Sequence, residues 1–301
     1  MKPILKWPGG KRKLLPYIEK IINSDSLGSG RLYEPFIGGG ALSFDLGHKR
    51  TVINDLNPEL INLYRVVKAY PEELIKELKQ HQYMACCEDT AEDYYYEVRA
   101  WDRDPEFELK YDPVARAART VYLNKTCFNG LYRVNSKGYF NSPLGRTSSG
   151  KCPDIVQEQE IRELSKFLQT VDIRSGDYEK ALEDTLPGDW IYFDPPYDPG
   201  EEISTSGFVG YQKEGWTRHD TLRLKSVCDK LYRLGCKIVI SNNDTPFIRE
   251  VFSDFEIFSI EASRSINRDG SNRKGKEVLI FSPNINAKLF DDLQNDLFSN
   301  I

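Results

Sequence analysis

The sequence predicts an α/β protein: an open, mostly parallel sheet interrupted by a helical, basic insertion. Three observations lead there. Residues 31–57 run as strand, glycine-rich turn, helix and second strand, the repeating unit of open α/β sheets. Alternating apolar stretches return at about residue 160, and the most apolar of them is DWIYFD at 189–194. Between these halves, residues 58–125 keep the amphipathic spacing of helices, and 126–153 turn polar, basic and rich in Gly and Asn.

Each element follows from local signals. Residues 11–23 read as a helix, and RLYEPF (31–36) as a strand ending at Gly38-Gly39-Gly40. A helix is expected from about Ala41, and RTVIN (50–54) reads as the second strand. Asn57-Pro58 is a helix start, with a capping side chain followed by a ring suited to the first helical turn. LINLYRVVKAY and VARAARTVYLN carry the helical spacing of the middle third. The segment TCFNGLYRVNSKGYFNSPLGRTSSGKCP (126–153) is a long loop or small hairpin region, and long loops inside a domain are usually functional. VDIRS (171–175), DWIYFD and CKIVIS (236–241) read as strands, with helices at 217–234 and 244–252. FEIFSIEA (255–262) and KEVLIFS (276–282) suit a closing antiparallel pair, and 285–299 a short amphipathic helix. No internal repeat is visible.

Composition narrows the function classes. The chain has 301 residues, 40% of them apolar, enough for a sizeable core. No run of about 18 apolar residues exists, so no membrane span is expected. The start, MKPILKWPGGKRKLL, is basic but lacks the roughly 7–15-residue apolar stretch of a signal peptide. Six cysteines (86, 87, 127, 152, 228, 236) show neither metal-ligand spacing nor a disulfide framework, so a reduced, cytoplasmic protein without a metal is expected. Net charge is −5, which argues against a nucleic-acid partner until its distribution is read. Residues 1–20 hold six Lys or Arg against one acid (net +5), 110–151 eight against one (net +7) and 262–276 five against one (net +4). Three basic islands in an acidic chain form one phosphate-binding face if the fold brings them together, and three solvated surfaces if it does not.

The sharpest motif is Asp194-Pro195-Pro196-Tyr197, directly after WIYF. A carboxylate at the C-terminal end of a buried parallel strand faces the crevice where open α/β sheets bind ligands. The two prolines fix φ and donate no N–H, leaving a stiff backbone with free carbonyls. An exocyclic amine above such a turn would give one N–H to Asp194 and the other to the Pro195 carbonyl, while Tyr197 stacks on the base. Such an amine attacks a sulfonium methyl in line and loses its proton afterwards, so positioning and electrostatics supply most of the rate. The plain alternative is a structural turn, for which Asp-Pro alone is common.

A methyl-donor site needs a glycine-rich first turn and an acid one strand later. Glu34-Pro35-Phe36-Ile37-Gly38-Gly39-Gly40 follows the first strand, and Asp55 ends the next, 15 residues after Gly40. The glycines let backbone approach a ligand closely, and the acid suits two ribose hydroxyls. The string is not G-x-G-x-x-G, so a nicotinamide cofactor fits poorly. Gly9-Gly10-Lys11 resembles the tail of a phosphate loop, but Arg12 stands where Ser or Thr is needed, which rejects a triphosphate site. Trp7 and Lys11 still offer an aromatic wall and a cation. In the 126–153 loop, Phe128, Tyr132, Tyr139 and Phe140 interleave with Lys125, Arg133, Lys137 and Arg146, a mixture suited to phosphates and base edges.

These residues, in this order, resemble the Dam-type (class alpha) adenine-N6 DNA methyltransferases. The matching stretches are LKWPGGKRKLL (5–15), YEPFIGGGAL (33–42), VINDLNPELIN (52–62), LNKTCFNGLYRVNSKGYFNSPLGR (123–146), SGDY (175–178) and YFDPPY (192–197). The resemblance implies a Rossmann-like S-adenosylmethionine-dependent sheet with a mainly helical inserted target-recognition domain. It would divide the chain into a discontinuous catalytic domain (1–57 and 160–283), a recognition domain (58–159) and a tail helix (284–301). By the same resemblance Trp7, Lys11, Glu34, Phe36, Gly38, Gly40, Asp55, Asp177 and Asp194 bind S-adenosylmethionine, with Asp177 on the cofactor's adenine amine. Asp194, Pro195, Pro196 and Tyr197 hold an adenine flipped out of double-stranded DNA. Lys6, Leu131, Arg133 and Pro143 match positions that read a GATC site, and Phe128 and Asn129 match the pair that fills the gap left by the flipped base. The family often carries Tyr at position 128, so here stacking survives and a hydroxyl is lost. Pro8 stands where some relatives have Ala.

The rivals share the fold. A cytosine-N4 enzyme usually carries Ser in place of Asp194. A protein-glutamine methyltransferase usually carries Asn there and has no use for the basic loop. An RNA adenine methyltransferase and a catalytically silent DNA-binding module complete the field. A cognate restriction endonuclease is a partner in function, not in a complex.

Overall fold

The structure, a computed structural model, describes residues 1–7, 14–24, 30–87, 89–145, 152–198, 216–263 and 274–285. Helix α1 (Leu15–Ser24) leads into β1 (Leu32–Glu34), α2 (Ala41–Leu46) and β2 (Thr51–Ile53). A helical block follows: α3 (Pro58–Ala69), α4 (Pro71–Ala85), α5 (Ala91–Ala100), α6 (Phe107–Lys110) and α7 (Pro113–Thr126), then α8 (Glu158–Leu168). The chain returns to the sheet with β3 (Asp172–Ile173), β4 (Trp190–Phe193), α9 (Arg218–Leu234), β5 (Lys237–Asn243), α10 (Pro246–Val251), β6 (Glu256–Ser263) and β7 (Lys274–Phe281).

Seven strands form one sheet in the order β3-β2-β1-β4-β5-β7-β6. The β1–β2, β2–β3, β1–β4 and β4–β5 pairs are parallel, and β7 pairs antiparallel with both β5 and β6. The expected closing pair forms, but β7 slots between β5 and β6, so the last strand is central and the one before it is the edge. Strand order reverses between β1 and β4. Ligands bind at such switch points, outside the carboxyl ends of the strands. Glu34 ends β1, Asp55 lies just beyond β2 and Asp194 just beyond β4, so three carboxylates meet at one rim.

The strands are apolar on both faces because helices cover both. Ile191 and Phe193 point to one side, where they pack with Leu224, Leu231 and Phe252; Trp190 and Tyr192 point to the other, against Ile18, Ile21 and Ile22 of α1. A third core runs from Ile53 and Phe44 into the helical block, through Leu60, Tyr64, Leu78, Tyr95 and Val121. Helix starts obey the local signals. Asn57 accepts from the Glu59 and Leu60 N–H groups with Pro58 in the first turn, and Asp112 does the same for Ala115 ahead of Pro113. Thr217 and Asp220 close a capping box on α9, worth about 1 kcal/mol.

Three departures from the sequence reading have physical causes. Helix α8 occupies a stretch read as the return of strand alternation. Its Ile161, Leu164, Phe167 and Leu168 recur at helical spacing and bury into the helical block, so the domain boundary expected at 159–160 falls inside a helix. Cys86 and Cys152 join in a disulfide with Cα atoms 5.1 Å apart across 66 residues, against the expectation of unpaired thiols. The 152–155 segment lies back along α4, where Gln82 bonds the Pro153 carbonyl at 2.6 Å and the Ile155 N–H at 2.7 Å, a closure that spacing cannot reveal. The basic islands are also partly spent on internal pairs: Arg116 bonds Glu59, Arg119 bonds Asp102, and Lys125 donates to Gln157. The expected tail helix (285–299), most of the third island and Lys11, Arg12 and Lys13 lie outside the described residues. Among the described residues no helix is long and apolar enough to cross a membrane, and no cluster of His, Cys, Asp or Glu could hold a metal ion.

Candidate active site and nucleic-acid interface

The rim of the sheet is built from the first turn outward. Glu34 is buried, and its carboxylate accepts from the Ser43 backbone N–H at 3.1 Å and from the Ser43 hydroxyl. Burial outweighs those donors and, with Asp194 and Asp55 nearby, pushes the Glu34 carboxyl up to about 8. The chain then turns through Gly38 (φ +46) to Gly40 (φ +71). Asp55 ties the turn to the next strand: it accepts from the Gly38 N–H at 3.0 Å and the Asn57 N–H at 2.9 Å. Desolvation raises the Asp55 carboxyl above its ordinary value, against the pull of the Asn57 and Gly38 donors.

The room these glycines leave is used by the protein itself. A Cβ on Gly38 would stand 2.7 Å from the Trp7 indole nitrogen, one on Gly39 2.6 Å from the Trp7 Cβ, and one on Gly40 2.2 Å from the Phe44 ring. The turn is therefore bare so that Trp7 can lie against it as a wall. Trp7 in turn stacks on Tyr132 of the insertion, centroids 5.5 Å apart and planes at 27°.

A cavity of about 520 Å³ opens over the rim. Trp7, Glu34, Phe36, Gly38 and Asp55 line it together with Asp194, Pro195, Pro196 and Tyr197. The two groups of residues singled out by the sequence thus share one chamber. Gly40 stays out of the lining and starts α2 instead. Asp177 also stays out: its carboxylate is bonded by Arg223 of α9 at 2.9 and 3.0 Å. Among the described residues, the walls carry Glu34, Asp55, Glu59, Asp102 and Asp194 against one cation, Arg119.

The Asp194–Tyr197 turn is clamped at both ends from β5. Ser241 donates its hydroxyl to Asp194 at 2.8 Å. One residue past the turn, buried Asp198 takes hydrogen bonds from Thr245 (2.8 Å) and Arg218 (3.4 Å), while its backbone meets Asn242 and Asn243 side chains. Ser241, Asp198 and Thr245 escaped the sequence reading. A polar triplet, Ser241-Asn242-Asn243, at the end of an apolar strand was the available signal.

The recognition residues gather around one staple. Asn124, fully buried near the end of α7, accepts from the Lys6 N–H at 2.8 Å and donates to the Lys6 carbonyl at 2.7 Å and the Gly130 carbonyl at 3.2 Å. A Cβ on Gly130 would stand 2.6 Å from that of Lys6, so the N-terminal segment and the 128–131 turn are in van der Waals contact. Phe128 is half exposed, and Asn129 beside it takes φ +56, the left-handed region. The Phe128 N–H bonds the Pro143 carbonyl at 2.9 Å, and bridges Cys127–Leu144 and Val134–Phe140 fold 127–144 back on itself. Arg133 leans on Asn141 at 2.8 Å. Lys6, Phe128, Asn129, Leu131, Arg133 and Pro143 therefore share one neighbourhood. Asp102 anchors this hairpin by accepting the Phe140 N–H at 2.7 Å. Lys125, by contrast, turns inward, and burial beside Lys6 lowers its ammonium to about 8.

Strand order, the glycine turn and the acid-tipped turn at the switch point together fit an α/β fold of the methyltransferase kind. Comparison with known proteins narrows the class. Residues 7–266 match the family model described as D12 class N6 adenine-specific DNA methyltransferase, and the chain belongs to that family. It is 42% identical over 283 residues to the type II methyltransferase M1.LlaDCHI of Lactococcus lactis subsp. cremoris, covering 93% of this chain and 95% of that one. It is 38% identical to the type II methyltransferase M.MjaIII of Methanocaldococcus jannaschii (91% and 96% covered) and 29% identical to the DNA adenine methylase of Escherichia coli K12 (93% and 94% covered). The protein is an adenine-specific DNA methyltransferase.

Proposed function

We propose that the protein methylates adenine N6 within GATC in double-stranded DNA, using S-adenosylmethionine, after swinging the target base out of the helix. The observation that carries this reading is the placement of Asp194 in one chamber with Asp55 and Trp7. The chamber suits the donor: it is large enough for a nucleoside with an amino-acid tail, and Asp55 and Asp194 on its wall offer acceptors for hydroxyl and amine groups. Trp7, Glu34, Phe36, Gly38 and Asp55 would hold the donor, which supplies an electrophilic sulfonium methyl. Lys11 joins that set by resemblance, as does Asp177 if Arg223 releases it.

The chain's own work is positioning. Asp194 and the Pro195 carbonyl accept the two amine hydrogens, which turns the nitrogen lone pair toward the methyl carbon. Pro195 and Pro196 keep that geometry stiff, and Tyr197 stacks on the base. The proton leaves after the carbon–nitrogen bond forms. Base flipping suits a half-exposed aromatic at Phe128, carried beside a left-handed Asn129. Lys6, Leu131, Arg133 and Pro143 would read the site, and GATC is the sequence the family resemblance implies. Two relatives are named type II methyltransferases, and service beside a restriction nuclease, in the cytoplasm, is part of the proposal.

Methylation of plasmid DNA, followed by cleavage with nucleases that distinguish methylated from unmethylated GATC, tests the reading. Asp194→Ala should abolish protection while sparing much of DNA binding. Persistent transfer by that variant refutes the mechanism, and protection at another sequence refutes the site. A parallel assay on RNA with the wild-type enzyme tests the remaining rival: methylation of RNA in preference to duplex DNA overturns the assignment of substrate.

A further inference from the structure

Beneath the Asp194 turn, two hydroxyls lie in line. Phe193 of β4 is in register with Ile240 of β5, so Asp194 comes opposite Ser241. Side chains two apart share a face of a strand, so Tyr192 points the same way as Asp194. Ser241 donates to Asp194 Oδ1 at 2.8 Å, and the Tyr192 hydroxyl stands 3.1 Å from Ser241 Oγ. Both residues are buried at 1% exposure or less. A serine hydroxyl has one proton, and here it goes to the carboxylate. Tyr192 must then donate to Ser241, which fixes the direction of the chain: Tyr192 to Ser241 to Asp194.

We propose that Ser241, supported by Tyr192, is a positioning residue for methyl transfer, holding the Asp194 carboxylate in the orientation that receives the substrate amine. The inference rests on the proposed role of Asp194. The relay suits that role in two ways. A donor fixed to the neighbouring strand restrains the turn of the carboxyl group about its own bond. Hydrogen bonds in series also polarise one another, which strengthens the last one. Burial, with Asp194 beside it, raises the Tyr192 phenol well above its ordinary value, so it stays a donor throughout. The clamp on Asp198 holds the far end of the same turn, so both ends of the turn are tied to β5 and its following helix start.

Single-turnover methyl transfer to a GATC duplex, with labelled S-adenosylmethionine, separates positioning from stability. Ser241→Ala should slow the transfer step by about 10- to 100-fold, the scale of a small misplacement of a reacting group. Dissociation constants for S-adenosylmethionine and for duplex DNA, measured on the same protein, should change by less than about twofold. Tyr192→Phe should slow transfer less, and the double variant should be no slower than Ser241→Ala, because Tyr192 acts through Ser241. Three results overturn the inference: a wild-type rate in Ser241→Ala, a rate loss matched by loss of donor affinity, or multiplicative losses in the double variant. Asp194→Ala, run alongside, separates the two levels. An inactive Asp194→Ala with a fully active Ser241→Ala sinks only the relay, whereas an active Asp194→Ala sinks the mechanism beneath it.

Discussion

Asn124 offers the sharpest test of how the recognition surface is assembled. Its amide makes three hydrogen bonds in a fully buried position, two to the Lys6 backbone and one to Gly130. Asn124→Ala leaves one N–H and two carbonyls without that partner. At roughly 1 kcal/mol net per bond, with a penalty for groups that stay dry, the loss is about 2–4 kcal/mol. A domain with about 5–15 kcal/mol to spare still folds, so the effect is measurable as a drop in the urea midpoint at unchanged slope. Asn124→Asp sharpens the test. It keeps the acceptor for the Lys6 N–H but turns a carboxylate toward two carbonyls, so it should destabilise at least as much as Ala. In both variants Lys6 loses its fixed place beside residues 128–131, and discrimination between GATC and single-base variants should fall with stability. An unchanged midpoint in Asn124→Ala, or an Asp variant more stable than the Ala variant, refutes the argument that these three bonds hold Lys6 in position.

Arg133→Ala should relax sequence choice more than it weakens overall binding, since a base-edge contact discriminates and a phosphate contact does not; competition between GATC and single-substituted duplexes checks this, and uniform weakening recasts Arg133 as a phosphate contact. Glu34 gives a pH signature. Its carboxyl sits near 8 when folded and near 4.5 when free, so the folded state holds the proton more tightly, and stability declines as pH rises from about 5 through 8. Glu34→Gln keeps an acceptor for Ser43 and should flatten that decline in melting temperature between pH 6 and 9; an equal decline in both proteins assigns the effect elsewhere.

How much of this was legible in the sequence depends on whether the signal was local. Asn57-Pro58 announces its helix because a cap and its partner lie within three residues. WIYF followed by Asp194-Pro195-Pro196-Tyr197 announces a strand tip for the same reason. Asn124, Ser241 and Asp198 stayed hidden because their partners lie 118, 47 and 44 to 47 residues away, and a lone buried polar residue looks like any other. Charge misled where pairing is distant. Arg116 and Arg119 counted toward a basic island, yet each faces a carboxylate across a helix interface, and Lys125 is drawn inward. Helix α8 was missed because VQEQEIREL carries neither a capping residue nor a glycine stop, leaving only the spacing of Ile161, Leu164 and Phe167. The glycines read as room for a ligand, and Trp7 takes the space above Gly38 and Gly39 while both still line the chamber.

The Trp7–Tyr132 stack has a mechanical consequence. Trp7 is pressed between the glycine turn and Tyr132, which itself sits between Leu131 and Arg133 and packs edge-on against Phe140. Both rings line the chamber, Trp7 from the N-terminal segment and Tyr132 from the hairpin that would meet DNA. A shift of the hairpin on binding a duplex changes how firmly Trp7 is held, and by reciprocity a donor that immobilises Trp7 also steadies the hairpin. Aromatic pairs contribute about 0.5–1.5 kcal/mol beyond burial, so the coupling available through this contact is roughly 2- to 10-fold in affinity. Donor affinity measured with and without a GATC duplex should differ by a factor of that order, and Tyr132→Ala should bring the ratio close to one. Tyr132→Phe should keep it, because the stack needs a ring and not a hydroxyl. A ratio that survives in Tyr132→Ala refutes the stack as the link and turns attention to Asp102, which bonds the hairpin at Phe140 and lines the chamber beside its partner Arg119.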